Sequence, residues 1–398
     1  MEVRPGLRRV SPPDPESVGQ DDELVARIHA EIQRAGPITF ARYMELALYD
    51  PAGGYYRAEA ARPGRSGDFL TAPETHPIFG AALSRVLAET WDRLGQPRPF
   101  VLREHGAGNG ALILAVLDRL ERDRQDLADA LRYDPIEIEP RRLEAIAARL
   151  ADVGRVSALL DPSASGRPIV GVIVGNEILD ALPTHRVVMR DGLLREIHVG
   201  TDGGGFVDVV VPPTTTDLAV RLAAEDVELD EGQRAEICLA LDGWLAEAAS
   251  GLERGMLLLV DYGYPAPELY DPIRRRDGTL RAYLRHRVHD DPYRHVGRQD
   301  LTAHVDVTAV ERAAAGAGLT HLGTTTQAEF LVGAGTEGLL QAIQADPATT
   351  LEAYLEVRSA VMRLLDPAAM GRFRVMGFGR AWPDGPPLAG FAYRLGRP

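Results

Sequence analysis

The run Pro99-Phe100-Val101-Leu102-Arg103-Glu104-His105-Gly106-Ala107-Gly108-Asn109-Gly110, residues 99–110, passes from a short apolar stretch into a glycine cluster. Ala111-Leu112-Ile113-Leu114-Ala115-Val116-Leu117 follows at once. An apolar run of strand length, a glycine turn and an apolar helix in succession open a βα unit. Glycines at that junction let the backbone turn tightly and approach a ligand, and the following helix N-terminus adds positive potential. The alternative is a tight turn that binds nothing.

Working outward, the unit repeats. YDPIEIEP (133–140) reads as a second strand and RRLEAIAARL (141–150) as its helix. GRPIVGVIVGNEILDALP (166–183) is a third strand with a polar turn at its C-terminal end, and GMLLLVDYG (255–263) is a further buried-type strand. Strands alternating with helices imply right-handed βαβ units and a parallel sheet. Before this core, Leu24, Ile28 and Ile32 mark an amphipathic helix stopped by Gly36-Pro37, and further helices are expected over about 38–49 and 77–94. HRVVMRDGLLREIHVG (185–200) alternates around Asp191-Gly192, a hairpin that interrupts the αβ rhythm. A helix is expected over 231–250, and FRVMGF and FAYRL are expected as a closing antiparallel pair. The expected division is a flexible arm over 1–20, a helical lid region over 21–96, and an α/β domain over 97–398 with insertions at about 184–230 and 265–305.

Composition narrows the chemistry. The 398 residues are 45% hydrophobic and 26% charged, and no apolar run approaches the length needed to cross a bilayer, so a soluble chain without a membrane partner is expected. The net charge of −14 argues against a nucleic-acid partner, whose phosphates demand clustered cations. All 44 basic residues are Arg, which excludes a Schiff-base lysine and a Walker A loop. The single cysteine, Cys238, rules out an internal disulfide and a cysteine zinc cage, and no metal site is expected. It is read as a packing residue in an apolar helical stretch.

Candidate site residues gather at strand ends. The spacing Gly106-x-Gly108-x-Gly110 lacks the third glycine of the dinucleotide fingerprint and suits an adenosine ligand with a carboxylate-bearing tail better than a phosphate. Glu137 is placed to accept hydrogen bonds from a ribose diol; Glu139 is its rival, and strand alternation prevents both from facing one ligand. Asn176, Glu177 and Asp180 sit at the sheet edge where open α/β folds bind ligands. Asp68, Thr71 and Glu74 lie in a Gly- and Pro-rich stretch that reads as a lid or a mere connector.

Taken together, GDFLTAPETHPIFG, EHGAGNGAL, IEIEP, NEILDALP, LLLVDYG and DLTAHVDVTAV, in that order, resemble the MidA-like S-adenosylmethionine-dependent methyltransferases over roughly residues 36–335. The resemblance implies a Rossmann-like, seven-stranded class I methyltransferase core with an N-terminal helical region and an inserted hairpin. It implies S-adenosyl-L-methionine as cofactor and S-adenosylhomocysteine as product. Gly106, Gly108, Gly110 and Glu104 then shape the cofactor loop, Glu137 holds the ribose, Asp68 and Thr71 line the other side, and Asn176, Glu177 and Asp180 face the methyl and the acceptor. Departures fall at His105, Ala107 and Asn109 in the loop and at Ile178-Leu179 after Asn176-Glu177.

The family includes a mitochondrial complex I assembly factor that methylates an arginine, so a protein arginine acceptor is implied, with Glu177 and Asp180 catalytic. Glu74 and Asp306 are lesser candidates, and His304 is a possible base for a hydroxyl or neutral nitrogen. A small-molecule O- or N-methyltransferase and a non-catalytic cofactor-binding assembly factor are the alternatives. The expected location is the cytoplasm, or the mitochondrion for a eukaryotic source.

Overall fold

The computed structural model describes residues 18–57, 71–285 and 287–395. The expected arm lies outside them up to Ser17, as does Asp68 with the rest of its Gly-Asp-Phe motif.

Among the described residues the central sheet has six strands: β1 (Phe100–His105), β2 (Leu131–Ile136), β3 (Ile169–Asn176), β4 (Leu252–Asp261), β5 (Thr320–Thr326) and β6 (Arg374–Arg380). Their spatial order is β5-β6-β4-β3-β1-β2. The four from β2 to β4 are parallel; β6 joins them antiparallel, and β5, antiparallel to β6, runs in the direction of the four. The expected seventh strand is reduced to a bridge in which Leu159 lies parallel to Tyr133 on the outer edge of β2.

The central strands are apolar on both faces because helices cover both. Leu102, Val172, Val174, Leu258 and Val260 face the helices Ile78–Arg93 and Ala111–Asp123. Val101, Ile173, Leu257 and Leu259 face the helices Ala240–Ser250 and Val307–Gly316. This is the period-2 alternation of a strand read directly into two cores. Arg103 is the one cation inside β1. It is buried against Asp134 of β2 at 2.7 Å and donates to the Arg167 and Gly251 carbonyls, so its charge is paired rather than stranded.

The N-terminal helix Asp22–Ala35 begins where the Asp21 carboxylate accepts from the Leu24 amide and ends at Gly36, whose φ is 80°. It and Phe40–Tyr49 pack on a five-stranded antiparallel sheet. The hairpin is present there as His185–Arg190 and Leu193–Thr201, with Asp191 and Gly192 both at positive φ, the two-residue turn whose twist matches its strands.

Three expectations need correction. Residues 231–250 are not one helix: Arg234–Ile237 pairs with His185–Val188 as a strand, and the helix begins at Ala240, leaving Cys238 in the connection. FAYRL is not a strand, because both edges of β6 are already taken by β4 and β5. Phe391 instead sits on a single helical turn against Phe330. Residues 265–300, Arg- and Asp-rich and read from the sequence as irregular, contribute to a three-stranded sheet of Arg281–Leu284, Arg287–His289 and Asp300–Thr302.

Candidate functional site

The strand order reverses between β1 and β3, because β1 leads outward to β2 while β3 returns on its other side. The C-terminal ends of such a pair open a crevice that no crossover covers. The glycine turn fills one lip. Gly106, Gly108 and Gly110 have φ of 70°, 55° and 73°. A Cβ at Gly106 would come within 2.8 Å of the Ile178 side chain, so both backbone conformation and space demand glycine there.

Glu137, at the end of β2, turns onto this bend: its Oε2 accepts from the Gly108 amide at 3.0 Å and its Oε1 from the Ile138 amide at 2.9 Å, with Arg142 at 3.5 Å. Glu104 is buried and accepts from the Tyr133 hydroxyl at 2.7 Å. Burial pushes its carboxyl up to about 8, the nearby Glu137 charge adds to that, and Tyr133 opposes it. His105 is driven down to about 4, chiefly by burial, and stands edge-on to Trp244.

The other lip is the turn after β3. Glu177 has φ of 53°, a conformation that side chains rarely adopt. It is held there from several sides. Its amide donates to the Val260 carbonyl at 2.7 Å, and the next residues, Ile178, Leu179 and Asp180, donate their amides to the buried Asp261 Oδ2 at 3.1, 2.8 and 3.4 Å. The Glu177 Oε1 accepts from the Asn176 side chain and from the Ala72 amide, both at 3.0 Å. Burial raises Glu177 to about 8 despite these donors. Asp180 and Asp261 are both pushed upward, first by burial, and the charge of Asp180 raises Asp261 further.

A third wall comes from the N-terminal region. Glu74 accepts from the Thr71 hydroxyl at 3.0 Å and from the Asn109 side chain at 2.8 Å, tying the short Ala72–Thr75 helix to the glycine turn. Tyr49 and Tyr56 close the far side. The three walls enclose a cavity of about 370 Å³, within the range of small-molecule sites.

Of the residues expected from the sequence, Glu104, Gly106, Gly108, Glu137, Asn176, Glu177 and Thr71 line this cavity. Gly110 stands behind the turn against Ile146. Asp180 is not on the cavity wall; with His304 and Asp306 it borders a separate void of about 30 Å³ on the far side of the turn. Burial drives His304 down to about 4. Sequence reasoning missed Tyr49, Tyr56, Arg142 and Trp244 on the wall and Asp261 beneath it. For Asp261 the signal was present, an acid closing the apolar run of β4 at the same sheet edge. The tyrosines carry no spacing signal.

S-adenosylmethionine fits these residues. The positive-φ glycines allow close backbone approach, Glu137 offers a carboxylate at the bend, and the Asn176 Oδ1 is a buried acceptor without a hydrogen-bond partner. Among the described residues no cluster could hold a metal ion, and no helix is long and apolar enough to cross a membrane.

Comparison with known proteins agrees. Residues 82–325 match the model of a family described as S-adenosyl-L-methionine-dependent methyltransferase. A protein from Burkholderia thailandensis, solved with S-adenosyl-homocysteine bound, superposes with a TM-score of 0.84 at 35% identity, covering 96% of this chain and 97% of its own. The protein arginine methyltransferase NDUFAF7 homolog, mitochondrial, of Drosophila melanogaster is 28% identical, over 97% of this chain and 94% of its own. The human NDUFAF7, mitochondrial, is 26% identical, over 87% and 81%. With most of its length under that model and a well-matched relative spanning nearly all of it, this chain belongs to the S-adenosyl-L-methionine-dependent methyltransferase family and is an enzyme of that kind.

Proposed function

We propose that the enzyme methylates an arginine side chain of a protein. The observation that carries this reading is the acidic make-up of the cavity wall: Glu74, Glu104, Glu137 and Glu177 line it, and the one arginine among the described lining residues, Arg142, is paired with Glu137. Such a wall favours a cationic acceptor. The names of the curated relatives, protein arginine methyltransferases, support it.

In this reading Glu137 holds the cofactor ribose, Gly106, Gly108 and Glu104 shape its bed, and Asn176 and Thr71 line the rest. Asp68 remains assigned to the lid by resemblance alone, and Gly110 to the turn. The bound cofactor supplies both the methyl group and its own leaving group. A guanidinium has a pKa above about 12 and is a poor nucleophile until one nitrogen is singled out. Glu177 is the carboxylate that pairs with it. Burial holds the Glu177 carboxyl up at about 8; an entering guanidinium draws it back down, its proton passes to water, and the resulting carboxylate accepts the proton that the nitrogen gives up as its new bond to carbon forms. Asp180, lying behind the turn, acts by positioning Glu177 and not by contact.

The region 21–96 is taken as the lid-bearing part and 97–398 as the catalytic part, with insertions near 184–230 and 265–305 facing the acceptor. A cytoplasmic location is proposed for the chain; the curated relatives compared here are named mitochondrial.

The test is transfer of labelled methyl from S-adenosylmethionine into a host lysate, followed by hydrolysis of the protein fraction. Methylarginine in that fraction is expected, with loss of transfer but not of cofactor binding in Glu177→Gln. Label confined to the small-molecule extract overturns the arginine reading. Calorimetry on Glu137→Ala tests the ribose assignment, which unchanged cofactor affinity removes.

A further inference from the structure

The wall opposite the glycine turn has a chemistry that the cofactor bed does not use. Tyr49 and Tyr56 lie either side of the Asp50–Gly54 turn and stack with ring centroids 5.5 Å apart and an interplanar angle of 26°. Both line the cavity. Their hydroxyls are committed elsewhere: Tyr49 donates to the Ala181 carbonyl at 2.8 Å, and Tyr56 to Asp300 Oδ1 at 2.9 Å. With both polar tips tied, what the pair offers the cavity is aromatic surface.

The tethers are informative in themselves. Ala181 belongs to the turn that carries Glu177, so one ring is registered to the carboxylate proposed to meet the acceptor. Asp300 belongs to the inserted three-stranded sheet, so the other ring is registered to the insertion. Burial first, and then the charges of the buried Asp300 and Asp180, raise both tyrosine hydroxyls well above their ordinary value. An aromatic face with negative charge nearby attracts a cation.

We propose that the Tyr49–Tyr56 pair is the acceptor subsite of this enzyme, a π-surface that takes a guanidinium by its face and selects it over a neutral group of the same shape. This rests on the arginine reading above and names the residues that enforce it. Tyr49 presents Glu177 and the guanidinium to one another; Tyr56 fixes the tilt of the pair through Asp300.

The experiment uses the full chain saturated with S-adenosylhomocysteine and two probes, acetyl-arginine amide and its citrulline counterpart, which replaces the charged guanidinium with a neutral urea. Calorimetry on the wild type is expected to show arginine bound about tenfold more tightly than citrulline, the scale of a desolvated cation–π contact. Tyr49→Leu is expected to reduce that ratio to about twofold, and Tyr56→Phe, which keeps the ring and loses the Asp300 tether, to reduce it about threefold. S-adenosylhomocysteine affinity stays within about twofold in both.

Should Tyr49→Leu fail to fold, Tyr56→Phe decides alone, because it preserves core volume. Equal binding of the two probes by the wild type overturns the subsite. So does an unchanged ratio in the folded variants, or a fall in S-adenosylhomocysteine affinity that accompanies the loss, which assigns the rings to the cofactor. A wild type that selects the arginine probe yet leaves no methylarginine in the lysate test overturns the proposed function while the subsite stands.

Discussion

Gly106 and Glu177 both have positive φ, 70° and 53°, at the ends of adjacent parallel strands. At Gly106 the left-handed turn is a local property: glycine reaches it at no steric cost, and the Ile178 side chain 2.8 Å from a notional Cβ leaves no room for anything else. At Glu177 the same turn costs about 1 kcal/mol and persists only because the surroundings over-determine it. Three successive amides on Asp261 and one on Val260 impose it. One lip of the crevice is therefore shaped by its own residues, and the other by its neighbours. The first keeps its form on nearly any scaffold of this kind. The second holds a strained carboxyl, its pKa raised by burial, beside the reaction space only while the β4 end is intact.

That contrast can be broken most severely at Gly106. Gly106→Val adds a clash and a disfavoured φ together, and cofactor affinity by calorimetry is expected to fall at least about a hundredfold. A variant that binds within a few-fold of wild type refutes the claim that the turn needs glycine for space.

Asp261→Ala probes the opposite lip. It leaves three amides without their acceptor and is expected to cost about 2 kcal/mol in urea unfolding, with the Glu177 turn relaxing. Loss of methyl transfer should exceed loss of cofactor binding, because the Asp261 acceptor serves the acceptor side. Equal losses count against the distinction between the lips.

Glu177→Gln sharpens the point through pH. The unfolded chain gives up the Glu177 proton near its ordinary value of 4.5, whereas the folded chain keeps it to about 8. Across that interval the folded state binds the extra proton, so stability falls as pH rises and levels off above about 8. The glutamine variant carries no such proton, and its stability relative to wild type is expected to rise steadily over the same window. A flat difference places the proton elsewhere, with Glu104 the next candidate.

The smallest effect is expected where the lid meets the glycine turn. Glu74→Gln retains part of the Thr71 and Asn109 contacts, and stopped-flow release of S-adenosylhomocysteine should quicken only about twofold.

Much of the architecture was open to reading because its causes are local or periodic. The alternation of Val101 and Leu102 or of Ile173 and Val174 announces strands buried on both faces, and Asp191-Gly192 announces a two-residue hairpin. The misread elements are those in which pairing partners outvote local pattern. Arg234–Ile237 has the apolar spacing of a helix and is recruited as a strand by His185–Val188. Phe391 has strand-like neighbours and finds no free edge on β6.

The site divides along the same line. Glycines before a helix and an acid at a strand end mark Gly106, Gly108 and Glu137 in one dimension, because φ constraints and strand ends belong to neighbouring residues. Which carboxylates reach the cavity, which stay behind it, and which keep a proton depend on burial among segments far apart in the chain. Asp180 sits three residues from Glu177 and borders a different void, and Tyr49 meets the turn through Ala181, 132 positions along the chain. The linear chain thus determined the strand–turn–helix frame and its glycine bend. The fold alone decided the acid's protonation, the aromatic wall and the strain at Glu177, since desolvation and backbone over-determination arise only when distant segments close on one another.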